Sequence, residues 1–361
     1  MLGYAFMGKA HSNAFRKIAY MTWPPPFLPR LAMIAGRNEE AVREAAERYG
    51  YESWTTDWRD LIADPSIGLL DNGGPNSVHA EPTILAAQAG KHVICEKPLG
   101  RDAEESHRIW REVTATGVKH MCAFNYRFVP AVRLARELIE AGEVGDIRHF
   151  RGRYLQDWAD DPTLDTWRFH PDEAGSGALG DLAAHVVDLS RYLVGEIATV
   201  SALVKTFLPG RKVDDAIEAA VEFENGAVGT IESTRLALGR RNSFQWEING
   251  TKGSLYFDVE RLNELQVFKA DGDRARGFKT VLVTEGNHPF WEYWWPPGHI
   301  IGWGDTFVNE LHHFLEAIAG KHEVGPHGAT FEDGYRAAEV CDALVRSSAS
   351  GRREQISYRG A

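Results

Sequence analysis

The sequence has few cysteines, no long apolar run and no surplus of positive charge. Its 361 residues include three cysteines, Cys95, Cys122 and Cys341, and so sparse and odd a set excludes a disulfide framework. No apolar run reaches the roughly 20 residues of a membrane helix, and the first residues lack the pattern of a signal peptide. The 40 Lys and Arg against 51 Asp and Glu give a net charge of −11, which disfavours a phosphate-backbone partner. We expect a cytoplasmic protein that binds neither nucleic acid nor membrane.

Two patterns follow one another along the chain. Up to about residue 125, apolar runs alternate with helical stretches, which predicts a parallel sheet with helices on its faces. The runs are 31–35, 67–70, 92–95 and 118–123, and the helical stretches are 39–49, 81–88 and 103–114. Beyond residue 146, β-rich runs separated by turn signals predict an open, mostly antiparallel sheet, with strands at 147–155, 200–207, 216–223, 227–233, 244–248 and 254–257. Further helices are predicted at 130–141, 179–193, 305–319 and 331–347.

A glycine motif opens the chain. The segment from Gly3 to Gly8 is a GxGxxG variant with Ala5 in the middle, and a helical sequence follows it. A dinucleotide pyrophosphate can rest on such a helix N-terminus, with Gly3, Phe6 and Met7 beside it, although an ordinary glycine turn is the alternative. The buried strand that should precede Gly3 is reduced to two residues, so the first strand of this fold is missing from the sequence and is expected upstream.

Cofactor preference depends on the loop after the second predicted strand. Gly36, Arg37 and Asn38 stand where an acidic residue would bind the adenosine ribose of NAD. Arg37 can instead accept a 2′-phosphate or stack on adenine, and a solvated loop arginine is the alternative. We expect NAD as the cofactor, with NADP as the alternative.

Two further segments carry the most specific signal. They are Gly73-Gly74-Pro75-Asn76-Ser77-Val78-His79 and Ala89–Leu99, which contains Glu96-Lys97-Pro98. Here the sequence resembles the Gfo/Idh/MocA family. The resemblance implies that the first loop lies along the nicotinamide ribose and that Lys97 lies beside the nicotinamide, often with a cis bond to the proline. The cofactor-binding residues that it implies are Gly74, Pro75, Asn76, His79, Glu96, Lys97, Asn125 and Arg127. For Asn125 and Arg127, a structural role at the crossover is the alternative.

A second constellation carries acid–base chemistry. Asp181 and His185 are four residues apart on a predicted helix and can share one face. An imidazole suits proton removal near neutral pH, and a nearby carboxylate orients it. With Lys97, whose ammonium can stabilise alkoxide charge, they match the catalytic set of the family. Asp188, one turn further, supports the helix.

Aromatic and amide side chains form the predicted substrate site. Aromatic faces pack on sugar C–H surfaces, and amide and guanidinium groups donate to hydroxyls. The candidates are Tyr126, Gln156, Trp158, Trp167, Arg168 and His299, together with Lys97, Asp181 and His185. For the loop at 290–299, core filling or a subunit contact is the alternative. His312 and His313 are adjacent and face apart on a helix, so we expect no metal.

The resemblance covers the whole chain. It implies an α/β plus α+β architecture, with a Rossmann NAD(P)-binding domain over 1–125 and a substrate-binding and oligomerisation domain over 126–361, whose last helices can pack back on the first. It implies an oxidoreductase that moves hydride between a ring secondary alcohol of a sugar and nicotinamide. A pyranoside oxidised at C3 is expected; an inositol or other cyclitol dehydrogenase, or a non-catalytic cofactor-binding relative, is the alternative. A homodimer or homotetramer is expected because an open sheet face carrying Val221 and Phe223 needs burial.

Overall fold

The computed structural model describes residues 1–270, 272, 274 and 276–361. These residues form two compact units. The first unit contains Met1–Asn125, Trp303–Tyr335 and Arg359–Ala361, and the second contains Tyr126–Gly302 and Arg336–Tyr358.

Helices and strands alternate in the first part of the chain, and strands dominate later. The helices are α1 (Phe6–Met21), α2 (Glu39–Tyr49), α3 (Arg59–Ala63), α4 (Ala80–Gln88), α5 (Ala103–Thr114), α6 (Pro130–Glu140), α7 (Pro171–Ala174), α8 (Ala184–Leu193), α9 (Thr306–Ile318) and α10 (Phe331–Ser350). The strands are β1 (Met33–Ala35), β2 (Ser53–Thr55), β3 (Leu69–Asn72), β4 (His92–Glu96), β5 (His120–Ala123), β6 (Ile147–Leu155), β7 (Ile197–Lys205), β8 (Ala216–Phe223), β9 (Val228–Thr234), β10 (Ser243–Gly250), β11 (Gly253–Asp258), β12 (Glu264–Lys269), β13 (Lys279–Leu282) and β14 (Glu354–Gln355).

The first unit has the predicted parallel sheet. Strands β3, β4 and β5 pair in that order, and β1 pairs with β2, all in parallel. Beyond its first residue, each of β1, β3, β4 and β5 is buried, as is typical of a parallel sheet covered by helices. Strand β2 is less buried, with Trp54 36% exposed. Asn38 caps α2 by accepting the Ala41 N–H at 2.9 Å, and Asp102 caps α5 by accepting the Glu105 N–H at 2.7 Å.

The first strand, predicted to be missing, has its position filled by Met1–Gly3. Leu2 forms parallel bridges with both Ala35 of β1 and Asn72 of β3. Its N–H donates to Asp71 O and its carbonyl accepts from Gly73 N, both at 2.8 Å. The expectation that the first strand is missing from the sequence is therefore wrong, because Met1–Gly3 supply ladder hydrogen bonds to both β1 and β3.

The second unit has the predicted open sheet. Its nine strands lie in the order β13-β12-β11-β10-β6-β9-β8-β7-β14, and all neighbours are antiparallel except β6 and β9. Helices α6 and α8 pack on one face of this sheet. Strands β12, β13 and β14, which are 6, 4 and 2 residues long, were not predicted.

Val221 and Phe223, named as the reason for oligomerisation, are buried within the chain itself. Val221 is 4% exposed and Phe223 is 1% exposed, with the Phe223 ring 6.0 Å from that of Phe150. They belong to the face that the helices cover. The opposite face of β8 carries Glu218, Ala220 and Glu222, so an uncovered apolar face with Val221 and Phe223 was a wrong premise.

The segment 179–193, predicted as one helix, forms two helical elements. Residues Leu179–Ala183 form a π-helical turn, and α8 continues from Ala184 to Leu193. Such turns are rare and often mark functional positions, because they insert an extra residue and rotate the side chains that follow.

Three expectations concern membranes, thiols and metals. Within the described ranges, no helix has the length and apolar character needed to span a bilayer. All three cysteines are buried and form no disulfide. Among the described residues, no group of three or more His, Cys, Asp or Glu is arranged to hold a metal ion. His313 Nε2 donates to the Val324 carbonyl oxygen at 2.8 Å.

Candidate active site

The N-terminal end of α1 fits a dinucleotide. Gly3 has φ +95°, and a Cβ there would lie 2.6 Å from the Gly73 carbonyl oxygen. A Cβ at Gly8 would lie 2.2 Å from the Gly3 carbonyl oxygen, so the turn needs both glycines. Ala5 is at the N-cap, and among the described residues no side chain caps the helix there. The first N–H groups of α1 are therefore available for an anion such as a pyrophosphate.

Phe6 and Met7 begin this helix. Phe6 is 62% exposed, and its ring stacks on Trp303 with centroids 5.3 Å apart and planes 8° apart. Trp303 was not predicted as part of this surface, because it follows Phe6 by almost 300 residues and no local motif surrounds it. A partly exposed aromatic pair at the start of this helix offers a flat apolar surface to the ring of a ligand.

The loop from Gly36 to Asn38 follows β1. A Cβ at Gly36 would lie 2.2 Å from the Tyr4 ring, so glycine there allows Tyr4 to pack closely. Asn38, predicted to bind cofactor, has its side-chain oxygen engaged as the cap of α2. Arg37 is exposed after the end of β1. This exposure suits both a cofactor-binding arginine and a solvated loop arginine.

The Gly73–His79 loop is held by buried side chains. Asn72 donates from Nδ2 to Val78 O at 2.9 Å and to Thr83 Oγ1 at 3.0 Å. His79 is 0% exposed, with Nδ1 2.9 Å from Pro98 O and Nε2 3.0 Å from Gly74 O. Burial lowers the pKa of His79, and its two carbonyl neighbours oppose that shift. His79 thus joins the loops that follow β3 and β4. Pro75 and Asn76 lie between these anchors.

Lys97 follows the end of β4. Its peptide bond to Pro98 is cis, as the resemblance implied. Its backbone N–H donates to Glu96 Oε2 at 3.1 Å. The other Glu96 oxygen, Oε1, lies 3.1 Å from Nε2 of the buried His11. Glu96 is 4% exposed, so this side chain supports the backbone of Lys97 from within the unit.

Asn125 and Arg127 have different surroundings. In the first unit, Asn125 Nδ2 donates to Thr306 Oγ1 at 3.1 Å. In the second unit, Arg127 forms a buried ion pair with Asp188, with Nη2 2.6 Å from Oδ1. These are the contacts expected of a structural role, the alternative that the sequence left open for both residues.

Asp181 lies in the π-helical turn of the second unit. Arg168 Nε is 3.9 Å from Asp181 Oδ1, and Arg235 Nη1 is 3.6 Å from Asp181 Oδ2. The carboxylate is therefore flanked by two guanidinium groups. Asp181 is predicted to orient His185, and that role stays a prediction; its carboxylate also lies near two arginines, one of which the sequence analysis did not identify.

Arg235 is that unidentified residue. It is 0% exposed and its guanidinium carbon lies 5.2 Å from the Trp158 ring and 5.4 Å from the Phe169 ring. Burial lowers the pKa of Arg235, while Asp181 and Asp214 oppose the shift. An arginine at the end of a predicted strand carries no signal in the sequence, because its burial depends on residues more than 50 positions away.

Asp214 fixes the start of the π-helical turn. Its Oδ1 accepts the Gly177 N–H at 2.6 Å and its Oδ2 accepts the Leu179 N–H at 2.7 Å. A Cβ at Gly177 would lie 1.8 Å from the Asp214 carbonyl oxygen, so glycine permits this approach. The turn that carries Asp181 is thereby anchored to the segment before β8.

A hydrogen-bond chain runs beside His185. Trp158 Nε1 donates to Gln156 Oε1 at 2.8 Å, and Gln156 Nε2 donates to Asn242 Oδ1 at 2.7 Å. Tyr154 donates to the same Asn242 oxygen at 2.7 Å, and its hydroxyl lies 2.9 Å from that of Tyr126. Asn242 was not predicted, since it lies in a turn with no motif around it.

His185 packs on this chain through its ring. Its centroid lies 4.9 Å from that of Tyr126, with planes 76° apart, and 5.9 Å from that of Tyr154. His185 is 6% exposed. The structure thus brings together most of the predicted substrate residues of this unit, namely Tyr126, Gln156, Trp158, Arg168, Asp181 and His185.

Trp167 and His299 complete the predicted set. The Arg168 guanidinium carbon lies 4.4 Å from the Trp167 ring, so Trp167 adjoins the Asp181 side of the cluster. His299 is exposed in a separate loop, and its Nδ1 lies 2.8 Å from Pro296 O. In that loop the Trp291 side chain is buried, and its Nε1–H donates to Trp295 O at 2.8 Å. Trp291 therefore fills the core, which was the alternative given for this loop.

Comparisons with family models match both parts of the chain. A model described as an oxidoreductase family, NAD-binding Rossmann fold, matches residues 1–124. A model described as the GFO/IDH/MocA C-terminal domain matches residues 132–256.

Individual proteins are similar over nearly the whole chain. Levoglucosan dehydrogenase of Pseudarthrobacter phenanthrenivorans is 46% identical over 97% of this chain and 95% of its own. Inositol 2-dehydrogenase of Rhizobium meliloti is 26% identical over 99% and 98%. A solved levoglucosan dehydrogenase in complex with NADH and levoglucosan is 48% identical, with a TM-score of 0.95 and coverage of 98% of each chain.

Proposed function

The chain belongs to the GFO/IDH/MocA oxidoreductase family, and on that premise we propose that it oxidises a ring secondary alcohol of a levoglucosan-like pyranoside, at C3, with NAD as hydride acceptor. Residues 1–124 match the NAD-binding Rossmann fold of that family. The cluster of indole, amide, phenol and carboxylate groups around His185 carries the proposal, because it offers both donors for hydroxyls and an aromatic face.

Two of the proposed catalytic residues lie in this cluster. His185 accepts the proton of the reacting hydroxyl, and Asp181, which lies beside Arg168 and Arg235, accepts a hydrogen bond from a neighbouring hydroxyl or orients the imidazole. Lys97 donates to the reacting oxygen and stabilises its developing negative charge. Oxidised nicotinamide, when bound, accepts the hydride. In the alternative, Lys97 is the base and His185 is the polarising group.

The cofactor would be held by backbone groups of the first unit. The N–H groups at the start of α1 bind the pyrophosphate, and the Gly73–His79 loop lies along the nicotinamide ribose. The buried ties of Asn72 and His79 support this role, because they set the path of that loop before any ligand arrives.

A panel of substrates tests this proposal. NAD and then NADP are mixed with levoglucosan, glucose, myo-inositol and scyllo-inositol, and the absorbance of the reduced nicotinamide is followed. We expect the highest kcat/KM with levoglucosan and NAD. A preference for a cyclitol would replace the pyranoside assignment, and NADH binding without turnover of any polyol would favour the non-catalytic alternative.

Deuterium labelling tests the carbon. Levoglucosan with deuterium at C3 is compared with the same sugar labelled at C2 or C4. Transfer of deuterium to the nicotinamide from the C3-labelled sugar alone is the expected result. Transfer from C2 or C4 would reject the C3 assignment while retaining the dehydrogenase activity.

Oligomerisation is proposed across the outward face of the nine-stranded sheet. Two apolar side chains on this face are exposed to solvent, Leu203 of β7 at 60% and Val228 of β9 at 52%, and a subunit contact would bury them. Leu203 lies opposite Glu218 of β8, and Val228 lies opposite Glu222 of the same strand. Glu218 and Glu222 are four residues apart and therefore point to the same face of the sheet, so Leu203 and Val228 do as well. Light scattering should give the mass of a dimer or tetramer. Val228→Glu should lower that mass, whereas Leu85→Glu on α4 should leave it unchanged; a monomeric native protein contradicts the proposal.

A further inference from the structure

A buried array of three ionisable side chains lies at the carboxyl ends of β3 and β4. His11, from α1, is 0% exposed. Its Nδ1 lies 2.9 and 3.0 Å from the two oxygens of Asp71, and its Nε2 lies 3.1 Å from Glu96 Oε1. Asp71 and Glu96 are 3% and 4% exposed. All three side chains belong to the first unit, and the mechanism above assigns none of the three a chemical step.

The geometry defines the charge of His11. An ionised carboxylate only accepts hydrogen bonds, and a neutral imidazole has a single N–H. With a carboxylate against each ring nitrogen, both nitrogens must donate, so the ring is an imidazolium. Burial by itself would lower the pKa of His11, but the charges and hydrogen bonds of Asp71 and Glu96 raise that pKa well above 6.5.

The array reaches the backbone of Lys97. Glu96 uses Oε1 for His11 and Oε2 for the Lys97 N–H, which lies 3.1 Å away. On the other side, Asp71 immediately precedes Asn72, whose side chain holds the Gly73–His79 loop. His11 therefore connects the ends of β3 and β4. The Gly73–His79 loop follows β3, and Lys97 follows β4.

The surroundings of His11 limit its freedom. The Phe307 ring of α9 lies 5.3 Å from the imidazole, tilted by 46°. The Met1 ammonium and Tyr51 also interact electrostatically with Asp71. Because a charged ring enclosed in this way is held by two carboxylates, its position is fixed more firmly than that of a side chain held by packing alone.

We propose that His11 is a positioning residue, whose imidazolium joins Asp71 to Glu96 and so fixes the backbone that carries Lys97. The proposal rests on the proposed function for the role of Lys97. A misplacement of about 1 Å in a catalytic group can cost roughly 10²-fold in rate, which is the size of effect expected here.

Turnover per binding site tests the proposal. In His11→Gln, the number of sites is counted by NADH titration, and kcat is expressed per site. We expect kcat to fall by about 10²-fold, while the NADH Kd and the sugar KM change by less than about threefold. The control is His107→Gln, another buried histidine of this unit that contacts Gly360 O at 2.7 Å. Unchanged kcat per site in His11→Gln would overturn the proposal.

Glu96→Gln provides a second variant if His11→Gln does not fold. A glutamine has one acceptor oxygen and an NH2 donor, so it can contact both His11 and the Lys97 N–H only if the His11 ring is neutral. We expect the same loss of kcat per NADH-binding site, because the charge-assisted bond from the imidazolium that holds residue 96 is gone. A native kcat per site in Glu96→Gln would contradict the link.

The charge of His11 has its own measurement, which requires no turnover. In protein labelled with ¹⁵N-histidine, NMR should show one imidazolium that stays protonated well above the usual histidine pKa of about 6.5. This signal should disappear in His11→Gln, or change in Glu96→Gln. A neutral or normally titrating ring at His11 would overturn the proposal. Absence of sugar oxidation by the native enzyme would instead reject the proposed function and leave this measurement valid.

Discussion

The Arg127 guanidinium binds both carboxylate oxygens of Asp188, with Nε 2.9 Å from Oδ2 and Nη2 2.6 Å from Oδ1. The two side chains are 2% and 1% exposed, and the Tyr192 ring lies 4.8 Å from the guanidinium carbon. This pair ties the turn after residue 125 to α8, the helix that carries His185. Because both charges are buried, the loss of either leaves the other without compensation.

The first prediction concerns stability. Arg127→Met should lower the free energy of unfolding by about 3–5 kcal/mol, and the double variant Arg127→Met/Asp188→Leu should be markedly more stable than that single variant. Urea denaturation measures both. As a control, Arg30→Met removes an exposed pair with Glu52, in which both side chains are 54% exposed, and should cost about 0–1 kcal/mol. Similar losses in the two single variants would contradict the prediction.

The same variants decide between the two roles left open for Arg127. If the residue is structural, the NADH Kd of the folded fraction stays near the native value. A selective loss of NADH affinity at unchanged stability would restore a direct cofactor role.

Local rules predicted much of the fold. The bounds of α2 and α5 were predicted correctly, because Asn38 and Asp102 are strong caps and the apolar spacing is regular. Strands β6 and β8 were also bounded correctly, since each alternates and is followed or preceded by clear turn signals. β2 and α3 were missed, because they are 3 and 5 residues long and carry no such signal.

Features that depend on distant residues escaped prediction. His11 and Asp71 are 60 positions apart, and His11 and Glu96 are 85 apart, so no periodicity relates them. Arg235 and Asp181 meet only because β9 and the π-helical turn are packed together. The turn itself could not be predicted, because its start is set by the carboxylate of Asp214, which lies more than 30 residues later. Family resemblance identified the residue types of the site, and tertiary packing determined their partners.

The second prediction concerns Arg235. Arg235→Met removes the buried cation nearest Asp181 and should lower kcat/KM for the sugar by about 10–10²-fold, the loss typical of a hydrogen bond or contact to a charged group. The NADH Kd should remain native. Arg240→Met, which removes a cation 46% exposed in the following turn, is the matched control. A native kcat/KM in Arg235→Met would exclude Arg235 from the substrate cluster.

The third prediction concerns acid stability and rests on His120. Burial lowers its pKa to about 4, and its Nδ1 accepts the Phe331 N–H at 3.2 Å, a contact that a protonated nitrogen cannot make. The unfolded chain takes up this proton below about pH 6.5 and the folded chain does not. Stability should therefore fall as the pH decreases from about 6.5 towards 4.

The matched variant is His120→Gln, whose side-chain oxygen can accept the same N–H. It should lose this part of the acid sensitivity, which we expect to be about 3 kcal/mol at full extent. Urea denaturation at a series of pH values measures the slope. Equal slopes for the native protein and His120→Gln would show that another group is responsible.

The fourth prediction concerns cofactor preference. Arg37 is exposed beside the cap of α2, and an arginine there can bind a 2′-phosphate. Arg37→Ala should weaken NADP by about tenfold or more, the scale of a charge-assisted hydrogen bond, and NAD much less. Arg43→Ala, which removes an exposed cation of α2, controls for net charge. Equal losses for the two cofactors would rule out a phosphate-specific role.

The last prediction identifies the base. His185→Ala and Lys97→Ala should each lower kcat by about 10²–10⁴-fold, the usual contribution of a positioned acid–base group, with little change in the NADH Kd. Lys119→Ala, which removes an ion pair with Glu323, is a control for Lys97. If His185 is the base, the acidic limb of the kcat/KM profile for oxidation disappears in His185→Ala and persists in Lys97→Ala. If Lys97 is the base, the reverse holds, because the limb reports the group that must be deprotonated in the free enzyme. Near-native turnover in both variants would remove the catalytic assignment, and with it the proposal that this chain performs the hydride transfer of its family with these residues.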